Sequence, residues 1–127
     1  MDDWRFVKLF CYLTDVDETA GPHVFVLGSH RTNRLTEIRR FSDDEVANTF
    51  GASNIHRFSG PAGTAFLENT YGVHRGIPPS QKPRLIFQVL YSLRPIIYGP
   101  KSPVARIGVQ GIPANIDPYI NRVYCAE

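Results

Sequence analysis

Turn-forming residues cut this chain into runs too short for long helices, and that punctuation constrains its fold more than any other feature. Ten glycines and ten prolines are spread through 127 residues. Between them lie short runs rich in aromatic and β-branched side chains, the composition of strands. WRFVKLFCYL, Trp4 to Leu13, is the first. Under the two-residue period of a strand, Phe6, Lys8, Phe10 and Tyr12 share one face, and Val7, Leu9, Cys11 and Leu13 share the other. The second face is apolar throughout, so it is expected to meet a core. The first mixes aromatics with a lysine and is expected to line a wet cavity.

TDVDETAGP then interrupts the pattern with turn formers. HVFVLG (His23–Gly28) reads as a second strand and GSHR as a loop. IHRFS (Ile55–Ser59), TAFLE (Thr64–Glu68) and RLIFQVLYSL (Arg84–Leu93) read as further strands, with a GPAG turn at Gly60–Gly63. One short helix is expected. Ser42 stands where it can cap the backbone, Glu45 three residues on completes a capping box, and Gly51 marks the stop. From Arg94 onward the chain carries Pro95, Pro100, Pro103, Pro113 and Pro118, and reads as an irregular tail wrapped over the surface. Short strands, Gly/Pro turns and one capped helix specify a mainly β fold, a sandwich or barrel, which holds ligands between its sheets or in its mouth.

The length suits one domain that buries roughly two-thirds of its unfolded surface. The expected organisation is a domain over 1–93 and a Pro-rich tail over 94–127 packed on it. A net charge of +2, with basic residues in small groups such as His30-Arg31 and Arg39-Arg40, describes a solvated surface and not a nucleic-acid footprint. Cys11 and Cys125 make neither a disulfide framework nor a zinc spacing, so a reducing, cytoplasmic setting is expected. Cys11 reads as a small core residue. No run is long enough to span a membrane, and MDDWRF is not a targeting signal. Strand pattern begins as early as Trp4, so the fold reads as entered part-way through.

Four histidines are present. His23 opens a strand and reads as exposed. His30 sits in a loop, where a backbone hydrogen bond is its ordinary role, and His56 alternates with Phe58 as a surface residue. His74 lies in NTYGVHRGIPPSQKPRLIFQ (Asn69–Gln88), between Gly72 and Gly76, where the chain must bend. It reads either as an ordinary strand-end histidine or as a metal ligand or catalytic base. No Gly-x-Ser-x-Gly elbow and no phosphate-cradling loop occur. Asp15, Asp17 and Glu18 form a carboxylate cluster in a turn, where solvated acids are normal. Arg84 opens an apolar run. A buried arginine needs a partner, which is either a carboxylate of the chain or a small dicarboxylate ligand held by the planar guanidinium. His74 and Arg84 could then serve one site, with metal at one end and an anion at the other.

Two blocks, FVKLFCYLTDVDETAGPHVFVLGSHR (Phe6–Arg31) and GPAGTAFLENTYGVHRGIPPSQKPRLIFQ (Gly60–Gln88), together resemble the phytanoyl-CoA dioxygenase family of iron- and 2-oxoglutarate-dependent oxygenases. The resemblance runs from Asp2 to about Leu93. It implies a double-stranded β-helix, a jelly-roll, incomplete here at its N-terminus and carrying one short helix. It implies hydroxylation of a small organic molecule, with Fe(II) and 2-oxoglutarate as the groups required. His74 matches the distal histidine ligand of a facial triad. Arg84 matches the arginine that clasps the far carboxylate of 2-oxoglutarate. Trp4 and Lys8 are candidates for lining the pocket.

One departure matters. The other two ligands form a His-any-Asp motif, which close relatives carry just ahead of the positions matching Asp2, Asp3 and Trp4. The 127 residues contain no such motif. The resemblance therefore implies the C-terminal part of a longer oxygenase, inactive as this chain alone. The alternative is a non-catalytic jelly-roll remnant acting as a binding or interaction module. The substrate is a small molecule that the sequence does not specify, no nucleic-acid or membrane partner is expected, and the oligomeric state stays open.

Overall fold

The computed structural model describes residues 6–37, 39–92, 102–108, 111, 113–122 and 124–126. Two compact units result, Met1–Tyr91 and Ser92–Glu127. The first carries β1 (Phe6–Tyr12), β2 (His23–Val26), α1 (Asp43–Phe50), β3 (Ile55–Phe58), β4 (Ala65–Glu68), β5 (His74–Gly76) and β6 (Ile86–Ser92). They form two three-stranded sheets, ordered β4-β1-β6 and β3-β2-β5. The chain steps back and forth between the sheets, and the pairs β1–β4, β2–β3 and β2–β5 are antiparallel. The architecture is mainly β with few helices.

Register decides which side chains meet inside. On β1 and β4, Phe10 stands opposite Phe66 and Lys8 opposite Glu68. On the second sheet, His23 stands between Phe58 and Gly76, and Phe25 between His56 and His74. Rings from the two sheets then stack on one another. Phe58 and Phe66 lie 4.6 Å apart between centroids, and Phe10 and His23 4.9 Å. Tyr12, Val16 and Ala20 form the fully buried nucleus, with Phe66 and Ile86 packed against it.

The face of β1 that meets the core is the aromatic one. Tyr12 is 0% exposed and Phe10 is buried, whereas Leu13, on the wholly apolar face, is 51% exposed and Cys11 is only half-buried. The expectation for this strand is thus reversed. Aromatic rings bring more area to the gap between sheets than the aliphatic row does. The phenol of Tyr12 is also satisfied there: it donates to the Phe58 carbonyl (2.7 Å) and accepts from the His23 amide (3.1 Å).

α1 follows the expected local chemistry. Ser42 Oγ accepts from the Glu45 amide (3.2 Å), and the Glu45 carboxylate accepts from the Ser42 amide (2.8 Å). GSHR folds as a 3-10 turn over Ser29–Arg31. β6 starts at Ile86, not Arg84, because the Leu85 amide is taken by Thr14 Oγ1 and the Arg84 side chain turns back toward Gly21.

The second unit pairs β7 (Ala105–Arg106) with β8 (Cys125–Ala126) in parallel and holds a short helix, α2 (Pro118–Asn121). The Pro-rich stretch is therefore not irregular throughout. Pro118 enters at the helix start, where a missing N–H costs nothing, and Asp117 caps the Ile120 amide. Among the described residues, no helix is long and apolar enough to cross a membrane.

Candidate functional site

The acidic turn and the Gly-Pro step build the floor on which Arg84 rests. Asp17 Oδ1 accepts from the amides of Thr19 (2.8 Å) and Ala20 (3.1 Å), and Oδ2 pairs with Lys82 (2.5 Å). The Lys82 ammonium first, and the Thr19 bonds after it, hold the Asp17 carboxyl far below the usual carboxylate range. The Thr19 carbonyl accepts in turn from the Ser80 amide (2.9 Å). Asp15 accepts from the Ala62 amide and Glu18 pairs with Arg57. These acids organise the turn and do not form a catalytic carboxylate pair.

Gly21 follows at φ 75°, a left-handed conformation that suits glycine. A Cβ there would lie 2.3 Å from the Ile77 carbonyl, so the loop before Arg84 can approach only because residue 21 has no side chain. Arg84 Nη1 donates to the Gly21 carbonyl. Arg84 Nη2 lies 3.1 Å from the point a Cβ on Gly76 would occupy. The guanidinium thus rests over the side-chain face of β5 at Gly76. No salt bridge among the described residues involves Arg84.

His74, two residues earlier on β5, projects to that same face. Its Nδ1 lies 2.9 Å from the Gly72 carbonyl, which can only accept, so Nδ1 carries the proton and Nε2 keeps its lone pair. That is the arrangement a ligating histidine needs. Gly72 is fitted for this contact: a Cβ would strike the Phe25 ring at 2.6 Å and Ser29 Oγ at 2.8 Å. Ser29 is buried, donates to the Val26 carbonyl (2.7 Å) and accepts from the Val73 amide (2.8 Å). The Gly-Ser-His turn therefore fastens the end of β2 to the residue beside His74.

The structure adds a pair that the sequence did not announce. His23, read as exposed, is buried, and its Nε2 meets Glu68 Oε2 at 2.7 Å. The Glu68 side chain is 3% exposed, and its Oε1 stands 3.8 Å from His74 Nδ1 without a hydrogen-bond partner. His23 is buried because β2 is the middle strand of its sheet, with the Phe10 and Phe66 rings of the facing sheet against it. The available signal was in TAFLE, where alternation puts Glu68 on the face of Phe66.

Of the other candidates, Lys8 is half-buried on β1 opposite Glu68. Trp4 lies outside the described residues, as do Asp2 and Asp3. His56 is exposed on β3. His30 accepts from Arg31 Nε (3.3 Å) through Nε2, and its Nδ1 is buried without a partner. Among the described residues, no group of three His, Cys, Asp or Glu side chains is arranged to hold a metal ion. Glu68 Oε1 lies 3.8 Å from His74 Nδ1 and the His23 ring 5.8 Å from the His74 ring between centroids, and His23 and Glu68 pair with each other.

No protein-family model matches the sequence, and no curated protein matches it. Among solved structures, the chain is similar to HygX from Streptomyces hygroscopicus, crystallised with nickel, 2-oxoglutarate and hygromycin B bound. Identity is 20%, the TM-score is 0.49, and the match covers 81% of this chain. It covers 39% of the HygX chain, so this chain spans well under half of that protein's length.

Proposed function

We propose that this chain carries part of the site of an Fe(II)- and 2-oxoglutarate-dependent oxygenase with a double-stranded β-helix fold of the phytanoyl-CoA dioxygenase type. One observation carries the reading: His74, with Nε2 free, and the Arg84 guanidinium share one face of β5. The alternation of strands between two sheets supports the fold, and the two sequence blocks support the family.

The fit to the required groups is partial. His74 Nε2 would ligate iron, and Arg84 would hold the far carboxylate of 2-oxoglutarate by exchanging the Gly21 carbonyl for a charged acceptor. Iron, when bound, supplies the oxygen-activating chemistry of such enzymes. The remaining two ligands are not among these 127 residues as a His-any-Asp pair. β5 ends its sheet among the described residues, so its outer edge is where a strand bearing them would pair. The part played by this chain is to fix the His74 tautomer through Gly72 and to present Arg84 over Gly76.

Protein purified from its native source, supplied with Fe(II), should convert 2-oxoglutarate to succinate. His74→Ala and Arg84→Ala should each abolish that turnover. Succinate release that survives both substitutions would remove these residues from the site. The second reading, a non-catalytic binding module, is favoured by the closed His23–Glu68 pair. It predicts no succinate from any form.

A further inference from the structure

The aliphatic row of β1, which reads in the sequence as a core face, points outward. Phe10 and Tyr12 are buried in the aromatic interior, which leaves Val7, Leu9, Cys11 and Leu13 on the opposite face of the sheet β4-β1-β6. The flanking strands continue that row. Phe66 on β4 and Ile86 on β6 pack against the interior, so Leu67, Phe87 and Tyr91 take the outer face. Leu67 stands opposite Leu9 in the register. Leu67 is 66% exposed, Phe87 52% and Tyr91 48%.

A sheet with one face in water alternates apolar-in and polar-out, whereas strands apolar toward both sides belong to sheets covered on both. β2 is of the covered kind and is buried along its whole length. β1 carries an aliphatic row where a solvated sheet would place polar side chains, and its three strands put no charged side chain on that outer face. Leu85, just ahead of β6 and bonded through its carbonyl to the Leu13 amide, extends the patch. Half of an aromatic side chain amounts to about 100 Å². The exposed parts of Leu13, Leu67, Leu85, Phe87 and Tyr91 then come to on the order of 500 Å², toward the upper end for a patch on a monomer. Two such faces in contact bury on the order of 1,000 Å², where specific interfaces begin. A second copy brings a sheet of identical twist, as face-to-face packing of sheets requires, and leaves no charge buried on either side.

We propose that the outer face of β4-β1-β6 is the contact between two copies of this chain, packed sheet on sheet about a two-fold axis with β1 against β1. A two-fold contact uses the same patch on both copies, so association ends at the dimer. Its modest area makes it a weak dimer that dissociates on dilution. The contact lies on the side of the sheet turned away from Phe66 and His23, and it does not depend on the oxygenase reading.

Sedimentation of the 127-residue chain from about 5 µM to about 1 mM, a range that spans weak association, tests it. Monomers of 14.3 kDa should pass reversibly to a species of twice that mass. Leu67→Lys and Phe87→Lys each replace an exposed side chain, so both should stay folded. Each should weaken the dimer at least about tenfold, because a charge is then buried against its own copy. His56→Lys, at an exposed position of the other sheet, should leave it unchanged. NMR shifts on diluting the unsubstituted chain should centre on β1, β4 and β6, a readout that needs no variant. A monomer at every concentration, which leaves the face to a helix of another protein, would overturn the proposal. So would a dimer unchanged in both lysine variants, dilution shifts centred elsewhere, or growth past the dimer without a plateau.

Discussion

Single atoms decide how this site is assembled. Tyr12 joins the two sheets through one hydroxyl, bonded to the Phe58 carbonyl and the His23 amide. Tyr12→Phe removes the hydroxyl that bonds both backbone groups, which should cost about 1–3 kcal/mol in urea unfolding. Burial also pushes the Tyr12 phenol up from its ordinary value, so the hydroxyl keeps its proton and its donor role. Gly76 offers a cleaner probe of Arg84. A methyl there would sit 3.1 Å from the end of a flexible side chain, so Gly76→Ala should fold normally while displacing the guanidinium. The prediction is unchanged urea stability to within about 1 kcal/mol together with weaker 2-oxoglutarate binding. Gly21→Ala should behave oppositely and fail to fold stably, since its Cβ would meet backbone.

Elements show what a sequence can and cannot announce. The capping box at Ser42 and Glu45 was legible because its partners are three residues apart, and α1 forms over Asp43–Phe50 as its chemistry requires. Ser42→Ala should cost about 1 kcal/mol, seen as faster amide exchange in α1. The five strands read from the sequence, β1 to β4 and β6, were legible within a residue or two for the same local reason, whereas the short strands β5, β7 and β8 were not. What failed depended on distant register. Val7, Leu9, Cys11 and Leu13 look like a core face until Phe10 is placed opposite Phe66. His23 looks exposed until β2 becomes the middle of its sheet. Ser29 could not be picked out, since its partner is Val73, 44 residues away, and alternation placed Glu68 on the Phe66 face without announcing its partner His23, 45 residues away. His74 and Arg84 were found as candidates through spacing and resemblance, while the glycines at 21, 72 and 76 that seat them became meaningful only once their neighbours were known.

At the scale of the molecule, exposed ion pairs tie the pieces of the first unit together. Arg75 holds Asp43 bidentately, at 2.7 and 2.9 Å, joining β5 to the start of α1. Lys82 holds Asp17, and Arg39 holds Glu45. Each partner lowers its carboxyl; that of Glu45 falls from 4.5 to about 2, chiefly through Arg39 and then through the Ser42 amide. A carboxyl lowered by folding contributes stability above its unfolded value and loses it as the pH falls toward the folded one. Thermal midpoints should therefore hold steady from neutral pH down to about 4.5 and decline between there and about 2. Because the pairs are exposed, added salt should shrink their contribution. A midpoint that rises on acidification would contradict this account.

The claim on which the functional reading stands is that His74 and Arg84 mark two ends of one site. An NMR titration of the 127-residue chain with 2-oxoglutarate tests it most directly, with Arg84→Ala alongside. The account predicts shifts centred on Gly21, His74 and Gly76. Affinity should fall at least about tenfold in Arg84→Ala, as loss of a charged hydrogen bond worth about 1.5–3 kcal/mol requires. Equal binding by Arg84→Ala, or shifts confined to other parts of the fold, would contradict it.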